Sequence, residues 1–366
     1  MGLIIMEKSR ILQLTAFAAF LSLGYLALNY FVFISLSKFF QGINLNYIYL
    51  FIGLATISFP VSMIVEQKSS NFLSKAIYLF STTWMGIALY FAWVIIAIFL
   101  IRLIIPIPLE VAGTLIIALV SIITIYSLIN SYNAHEKHIK IPIDKLDSPI
   151  KLVQLSDVHI GSVRNSGFLK RVVSKIADIN PDAVLITGDL ADGSSAIYEN
   201  TFYPFKELKM PIFFTPGNHD SYPGIENVFK ALKFADVHIL ENDIIEFKGI
   251  QIIGVAYSMR RDNLRNVLNE INFDQEQSAI LMYHLPSEWE AAREKGIDLQ
   301  LSGHTHHGQF YPFNLIVKLV FPYLGGLYKK GKDHLYVSAG TGTWGPPMRL
   351  GSRNEITVIE LEPSNH

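Results

Sequence analysis

The sequence predicts a bundle of four transmembrane helices followed by an α/β domain with mixed sheets. Four uncharged apolar stretches fill the first third of the 366-residue chain. From residue 150 onward, short strand-like runs alternate with helical patterns, and the last runs are strands, which is typical of an α/β domain. We therefore predict a transmembrane domain at residues 1–134, a polar linker at residues 135–149 and a globular domain at residues 150–366.

The composition supports a membrane protein. The chain is 51% hydrophobic and only 17% charged, and its mean hydropathy of +0.33 is high for a soluble protein. Cysteine is absent, which excludes disulfides and thiolate metal sites. The net charge of −1 gives no reason to expect a nucleic-acid partner, and the oligomeric state stays unknown at this stage.

Each uncharged stretch exceeds the roughly 20 residues that a helix needs to span a bilayer. The stretches are residues 11–37, 39–65, 76–101 and 111–134. Buried core helices are the alternative, but four in succession without an amphipathic stripe favour membrane spans. The first stretch is too long for a cleavable signal peptide, and no small-x-small cleavage site follows it. Because no intramembrane charge marks a transport pathway, the predicted role of the bundle is anchoring.

The basic residues predict the topology of this multi-pass protein. An even number of spans puts both ends of the bundle on one side of the membrane. Six basic residues flank the connections on that side: Lys8, Arg10, Lys68, Lys75, Lys137 and Lys140. The two opposite connections carry only Lys38 and Arg102. The positive-inside rule therefore places the C-terminal domain in the cytoplasm.

In the C-terminal domain, apolar runs and turn residues predict strands and helices in alternation. The predicted strands are residues 151–156, 182–187, 211–215, 237–240, 244–247, 251–255, 279–283, 297–302, 334–338 and 355–361. The predicted helices are residues 168–176, 198–208, 225–234, 264–271 and 289–295. Ser287 and Glu290 have the spacing of a capping box at the start of the last helix.

Five of the strand ends carry side chains that bind metals. These residues are Asp157 and His159, Asp189, Asn218 and His219, His284, and His304 and His306. A lone His-x-His is weak evidence, because a polar strand end explains it equally well. Here, however, His304 and His306 project to the same side of the chain, and four other strand ends carry carboxylates, amides or imidazoles. The pattern indicates a single metal centre.

In this order, the motifs resemble the calcineurin-like metallophosphoesterase superfamily from about residue 150 to the end of the chain. Within it, the stretches at residues 155–161, 303–309 and 336–349 are similar to the membrane-associated, YkuE-like branch. One departure is His307, where that branch usually has glycine. His307 is either a third ligand or a solvent-facing loop residue.

The resemblance implies an αββα sandwich with a two-metal site. It assigns Asp157, His159 and His306 to one divalent ion, Asn218, His284 and His304 to a second ion, and Asp189 to a bridge between them. Mn²⁺ is the expected metal, with Fe and Zn²⁺ as alternatives. His219 would protonate the leaving oxygen or stabilise charge on phosphate, with Asp157 or Asp220 orienting it.

The expected activity is hydrolysis of a phosphodiester, pyrophosphate or phosphomonoester. Phosphoprotein substrates are disfavoured, because Gly193 stands where protein phosphatases of the superfamily have arginine. A lipid or lipid-linked substrate is favoured by the apolar segment at residues 310–327, and similar membrane-bound relatives include UDP-diacylglucosamine pyrophosphatases. Part of that segment, at residues 315–320, has helical spacing and could instead pack on the sheet.

Other readings of the sequence stay open. The substrate could be a soluble nucleotide or small phosphoester, or the domain could be a non-catalytic membrane scaffold or sensor. Arg349 and Arg353 near the end of the family pattern would either meet phosphate or lie on the surface.

Overall fold

The computed structural model describes residues 2–40, 42–260 and 262–364, without the side chains of residues 2–18 and 20. The chain divides into two compact units, residues 1–126 and residues 127–366. Four helices come first: α1 (Gly2–Phe39), α2 (Leu45–Lys68), α3 (Phe72–Arg102) and α4 (Leu109–Asn130). Each contains a segment that is long and apolar enough to cross a membrane. The last four residues of α4 belong to the second unit.

Polar side chains of the first unit are paired inside the bundle. The buried amide of Asn29 accepts a hydrogen bond from the indole of Trp84 at 2.9 Å, which joins α1 to α3. The buried carboxylate of Glu66 accepts hydrogen bonds from Ser70 and Ser74 at the start of α3. Such pairing removes the cost of burying these polar groups.

The second unit contains twelve strands and five helices among its described residues. The strands are β1 (His135–Ile143), β2 (Ile150–Leu155), β3 (Ala183–Ile186), β4 (Ile212–Phe214), β5 (His238–Ile239), β6 (Asp243–Phe247), β7 (Ile250–Val255), β8 (Ser278–Tyr283), β9 (Leu299–Ser302), β10 (Gly326–Lys330), β11 (Asp333–Val337) and β12 (Glu355–Pro363). The helices are α5 (Ser166–Ile179), α6 (Ile225–Phe234), α7 (Asn263–Glu270), α8 (Trp289–Glu294) and α9 (Phe313–Val320).

The strands form two six-stranded mixed sheets. Their orders are β1-β12-β2-β3-β4-β5 and β10-β11-β9-β8-β7-β6. In the first sheet β2, β3, β4 and β5 run parallel, and in the second β7, β8, β9 and β11 do so. The parallel strands have their carboxyl ends at one edge of each sheet, which is where ligands bind in such sheets.

Apolar side chains divide the domain into layers. Leu152 and Leu185 of the first sheet share a buried cluster with Ile252 and Ile280 of the second. A second cluster joins the first sheet to α5 and α6, and a third joins the second sheet to α7 and α8. Helices therefore cover the outer faces of two packed sheets, which confirms the predicted αββα sandwich.

Residues 135–143, predicted to belong to a polar linker, form strand β1 instead. The strand pairs in parallel with β12, and its Ile141 and Ile143 enter the core between the sheets. Its partner lies about 220 residues further along the chain, so local polarity gave no sign of the pairing.

Two smaller predictions were also wrong. The predicted helix at residues 198–208 is a single 3₁₀ turn, Tyr203–Glu207, with Pro204 in its first turn. The capping box at Ser287 and Glu290 is absent. The residue before α8 is Glu288, which has a left-handed backbone conformation and makes no side-chain cap.

Candidate metal centre

Loops after five strands carry the eight residues that the sequence predicts for the site. Asp157 and His159 follow β2, Asp189 follows β3, Asn218 and His219 follow β4, His284 follows β8, and His304 and His306 follow β9. Since β2, β3 and β4 are parallel neighbours, and β8 and β9 are too, these loops meet at the carboxyl edges of the two sheets. The fold therefore brings residues that are distant in the sequence close together.

One group of ligand atoms comes from Asp157, His159 and His306. Their ligand atoms lie within 4.8 Å of one another. The Nε2 atoms of His159 and His306 are 3.1 Å apart, and Oδ1 of Asp157 is 3.4 Å from Nε2 of His306. All three side chains are buried, so the group is set apart from bulk water.

A second group comes from Asp189, His284 and His304. Nε2 of His284 lies 3.1 Å from Oδ2 of Asp189 and 3.2 Å from Nδ1 of His304. Asp189 also belongs to a third group, with His159 and His219, and so lies between the other two. Nearby Asn218 has a buried Oδ1 that lacks a hydrogen-bond partner among the described residues. An orphaned buried oxygen of this kind is costly unless a ligand satisfies it.

These residues fit divalent metal ions. Ligand nitrogens about 2.1 Å from one ion lie roughly 3.0–3.5 Å apart. The observed separations of 3.1 Å and 3.2 Å between imidazole nitrogens fall in that range. Imidazole and carboxylate donors together suit Mn²⁺, Fe or Zn²⁺. The residues at this site can therefore hold divalent metal ions.

Outer contacts orient the candidate ligands. Nδ1 of His284 donates to the carbonyl oxygen of Thr187 at 2.9 Å, which leaves Nε2 for the site. Nδ1 of His159 lies 3.2 Å from Oδ1 of Asp192. Such partners fix the tautomer and the ring orientation of metal-binding histidines. Sequence reasoning missed Asp192, although a second carboxylate three residues after Asp189 was a usable signal.

The backbone is strained where it presents these side chains. Asp157, His159 and Asp189 have φ values of 52° to 53°, in the left-handed region that non-glycine residues rarely adopt. A Cβ atom on Gly303 would lie 1.9 Å from Oγ of Ser156, so only glycine fits there. Strain that recurs at the ends of neighbouring strands is characteristic of functional sites.

His219 is oriented by a backbone carbonyl, not by Asp157 or Asp220 as predicted. Its Nδ1 donates to the carbonyl oxygen of Asp192 at 2.8 Å, so Nε2 is the ring nitrogen left for the site. The Asp220 carboxylate instead accepts 2.8 Å hydrogen bonds from the amides of Asp189, Ala191 and Gly217. Burial and the adjacent Asp189 charge raise the pKa of Asp220 to about 7. Asp220 therefore shapes the loops that carry the ligands.

Asp189 and His304 have the charge states in which carboxylates and imidazoles bind metals, whereas Asp189 holds His284 as a cation, which must lose a proton when a metal binds. Burial alone would lower the pKa of His284, but the Asp189 carboxylate raises it to about 10. The same contact holds the pKa of Asp189 well below its usual range, against the effect of burial. Burial and the nearby His284 charge lower the pKa of His304 to about 3, so its imidazole is neutral. Neutral imidazoles and ionised carboxylates are the forms that bind metals.

Aromatic rings surround the centre. Tyr222 and Phe321 lie 4.7 Å and 5.2 Å, between ring centroids, from His219 and His304 respectively. Trp344, 6.5 Å from the His219 ring, is 52% exposed. His307 is half-buried and belongs to none of the three ligand groups found among the described residues. Two of these aromatic side chains, Tyr222 and Trp344, are therefore exposed beside the candidate ligands.

The two arginines near the end of the family pattern differ. Arg353 is exposed. Arg349 is fully buried and donates to the carbonyl oxygen of His306, so it is neither a surface residue nor open to phosphate.

Comparison with known proteins identifies a common domain. The family model described as calcineurin-like phosphoesterase matches residues 150–308. An uncharacterized metallophosphoesterase of Helicobacter pylori is 37% identical over 237 residues, which cover 63% of this chain and 64% of that protein. The Danio rerio transmembrane protein with metallophosphoesterase domain is 32% identical over 267 residues, or 66% of this chain and 61% of that protein.

An uncharacterized metallophosphoesterase of Aquifex aeolicus is 30% identical over 253 residues, which cover 65% of this chain and 95% of the relative. The chain thus spans less than two thirds of the first two relatives but almost all of this third one. The bacterial relatives also include the YkuE protein of Bacillus subtilis. The family model falls on the domain that carries the clustered ligands, and the chain belongs to the calcineurin-like metallophosphoesterase family.

Proposed function

We propose that the protein is a membrane-anchored phosphoesterase that hydrolyses a phosphodiester, pyrophosphate or phosphomonoester with two divalent metal ions. The observation that carries the proposal is the pair of buried ligand groups joined by Asp189. Asp157, His159 and His306 would hold one ion, and Asn218, His284 and His304 the other. The orphaned Oδ1 of Asn218 supports this assignment.

The ions and the side chains of the protein would have different roles in hydrolysis. When bound, the two ions act as Lewis acids that activate water and neutralise phosphoryl oxygens. Mn²⁺ is our first choice, with Fe and Zn²⁺ as alternatives. Because Nδ1 of His219 donates its own proton to the Asp192 carbonyl, Nε2 is the atom that would deliver a proton to the leaving oxygen, and the ring must be in its doubly protonated form to do so.

The activity can be tested on the purified full-length protein with bis(p-nitrophenyl) phosphate. We expect hydrolysis after loading with Mn²⁺, loss of hydrolysis with a chelator, and recovery when the metal is restored. Parallel samples with Fe²⁺ and Zn²⁺ compare the metals. A protein that binds two ions yet hydrolyses no phosphodiester, pyrophosphate or phosphomonoester would contradict the proposal and favour a scaffold.

The substrate we propose is a phospholipid or another lipid with a phosphodiester or pyrophosphate linkage. Helix α9 has no buried residue, so it does not pack on the sheet as the alternative required. Its Leu315, Ile316, Leu319 and Val320 are 56%, 48%, 86% and 69% exposed. Phe321, which follows α9 directly, contacts the ring of His304. An exposed apolar surface that continues into a candidate active site is typical of a binding surface.

The four apolar helices and the transmembrane relative support membrane association. Confinement to a bilayer would suit a substrate that does not dissolve in water. We propose a multi-pass protein whose phosphoesterase domain lies in the cytoplasm.

The orientation has its own test. We predict that a reporter that works only in the cytoplasm is active when fused after His366, because the basic residues are concentrated on the predicted inner connections. Matched fusions of a cytoplasmic reporter and a reporter that works only outside the membrane provide the comparison. Activity of the second reporter alone would reverse the topology while leaving the metal centre unaffected.

A further inference from the structure

Arg349 is a fully buried cation that lies behind His306. One guanidinium nitrogen donates to the carbonyl oxygen of His306 at 2.9 Å, and the other donates to that of Gly342 at 2.7 Å. The second nitrogen also lies 3.3 Å from Nδ1 of His306. Because the guanidinium covers the Nδ1 side of the ring, Nε2 is the nitrogen that faces Asp157 and His159.

The backbone of His306 needs such a restraint. Its φ of 50° is in the left-handed region, which costs free energy and persists only where neighbouring groups hold it. The hydrogen bond from Arg349 to its carbonyl is charge-assisted and therefore stronger than one between neutral groups. The packing behind the ring is also tight, since a Cβ atom on Gly340 would lie 3.1 Å from both Arg349 and His306.

Residues in the last turn of α4 hydrogen-bond to the backbone of Arg349. The amide of Arg349 donates to the carbonyl oxygen of Ser127 at 3.0 Å. The side-chain amide of Asn130 donates to the carbonyl oxygens of Arg349 at 3.1 Å and Ser352 at 2.8 Å. Residues from 127 onward belong to the second unit, so these contacts lie within the phosphoesterase domain.

We propose that Arg349 is a positioning residue for His306, and that the last turn of α4 holds Arg349 in place. The end of the fourth apolar helix then forms part of the support of the metal centre. This inference rests on the proposed function, because His306 is a metal ligand only under that proposal. Its consequence is a path of direct hydrogen bonds from Asn130 through Arg349 to His306.

The test is metal binding by the full-length protein, measured by equilibrium dialysis against Mn²⁺. Removing an outer-shell partner of a metal ligand typically weakens metal binding by about 10–100-fold. We expect Arg349→Gln to lower the affinity for one of the two ions by that factor and to leave the affinity for the other near its wild-type value. Asn130→Ala, which keeps the guanidinium of Arg349, should lower the affinity for the same ion by a smaller factor. Excess Mn²⁺ should restore hydrolysis in both variants.

Arg164 provides a matched control. It is also a buried arginine, and its hydrogen bonds among the described residues go to the carbonyl oxygen of Ser131 at 2.7 Å and to Oγ1 of Thr343 at 3.3 Å, not to His306. Arg164→Gln should lower thermal stability, as Arg349→Gln does, while binding both ions with wild-type affinity. If Arg349→Gln does not fold, Arg349→Lys replaces it, because lysine keeps the charge but not the planar set of donors.

The outcomes separate the two proposals. Wild-type affinity for both ions in the position-349 variant and in Asn130→Ala would overturn the positioning role. An equal loss of affinity for both ions in the Arg349 and Arg164 variants would also overturn it, because general destabilisation of the fold would then explain the lower affinity. A wild-type protein that binds no metal would instead refute the proposed function.

Discussion

Replacing Asp189 with asparagine is expected to abolish phosphoester hydrolysis. Oδ2 of Asp189 lies 3.1 Å from Nε2 of His284, and Oδ1 accepts a 2.8 Å hydrogen bond from the amide of His219. Asparagine keeps the shape of the side chain but removes the negative charge between the two proposed ions. Since even outer-shell partners affect affinity or activity by about 10–100-fold, loss of this ligand should lower activity by more than about 100-fold.

A companion variant, His304→Ala, removes a proposed ligand of the second ion only. Both variants should bind fewer ions than the wild-type protein, measured by metal analysis after dialysis. Asp178→Asn is the matched control, because Asp178 is exposed on α5 and should leave activity and metal content unchanged. Full activity in Asp189→Asn and His304→Ala would mean that the proposed ligands are wrong.

The candidate site was predictable because its parts are local. Each pair such as Asp157 and His159, or His304 and His306, directly follows an apolar strand, and a strand end is readable from a few residues. A single motif of this kind is weak evidence for a metal site, and the order of the five motifs made the prediction specific. The structure brings seven of the eight predicted residues into three overlapping ligand groups, all but Asn218, while their roles stay predictions.

What the sequence concealed depends on contacts between distant residues. β1 resembles a linker because only its pairing with β12 makes it a strand. Arg349 looks like any arginine near a surface, and its burial against His306 requires the folded chain. The same holds for Asp220, whose three amide partners come from two loops, one after β3 and one after β4. Local patterns record neither burial nor partners of this kind.

The exposed surface of α9 leads to the second large expected effect. Replacing Leu315, Ile316, Leu319 and Val320 with serine should greatly reduce hydrolysis of a lipid phosphodiester presented in vesicles. Burying one large aliphatic side chain contributes about 1.5–3 kcal/mol, so four side chains that even partly enter a lipid phase should change binding by at least about 10-fold. The side chains are already exposed, and surface substitutions usually change stability by only about 0.5 kcal/mol each.

The comparison between two substrates decides what α9 does. Hydrolysis of bis(p-nitrophenyl) phosphate should survive in the quadruple variant, because none of the four side chains belongs to the ligand groups. Tyr203→Ser serves as the control for loss of an exposed ring outside α9, and it should leave both activities unchanged. Thermal unfolding would show that the quadruple variant is folded. Equal loss of both activities would mean that α9 supports the fold near His304 and does not bind lipid. Retention of both would mean that the substrate does not use this surface, and a soluble phosphoester would then become the better candidate.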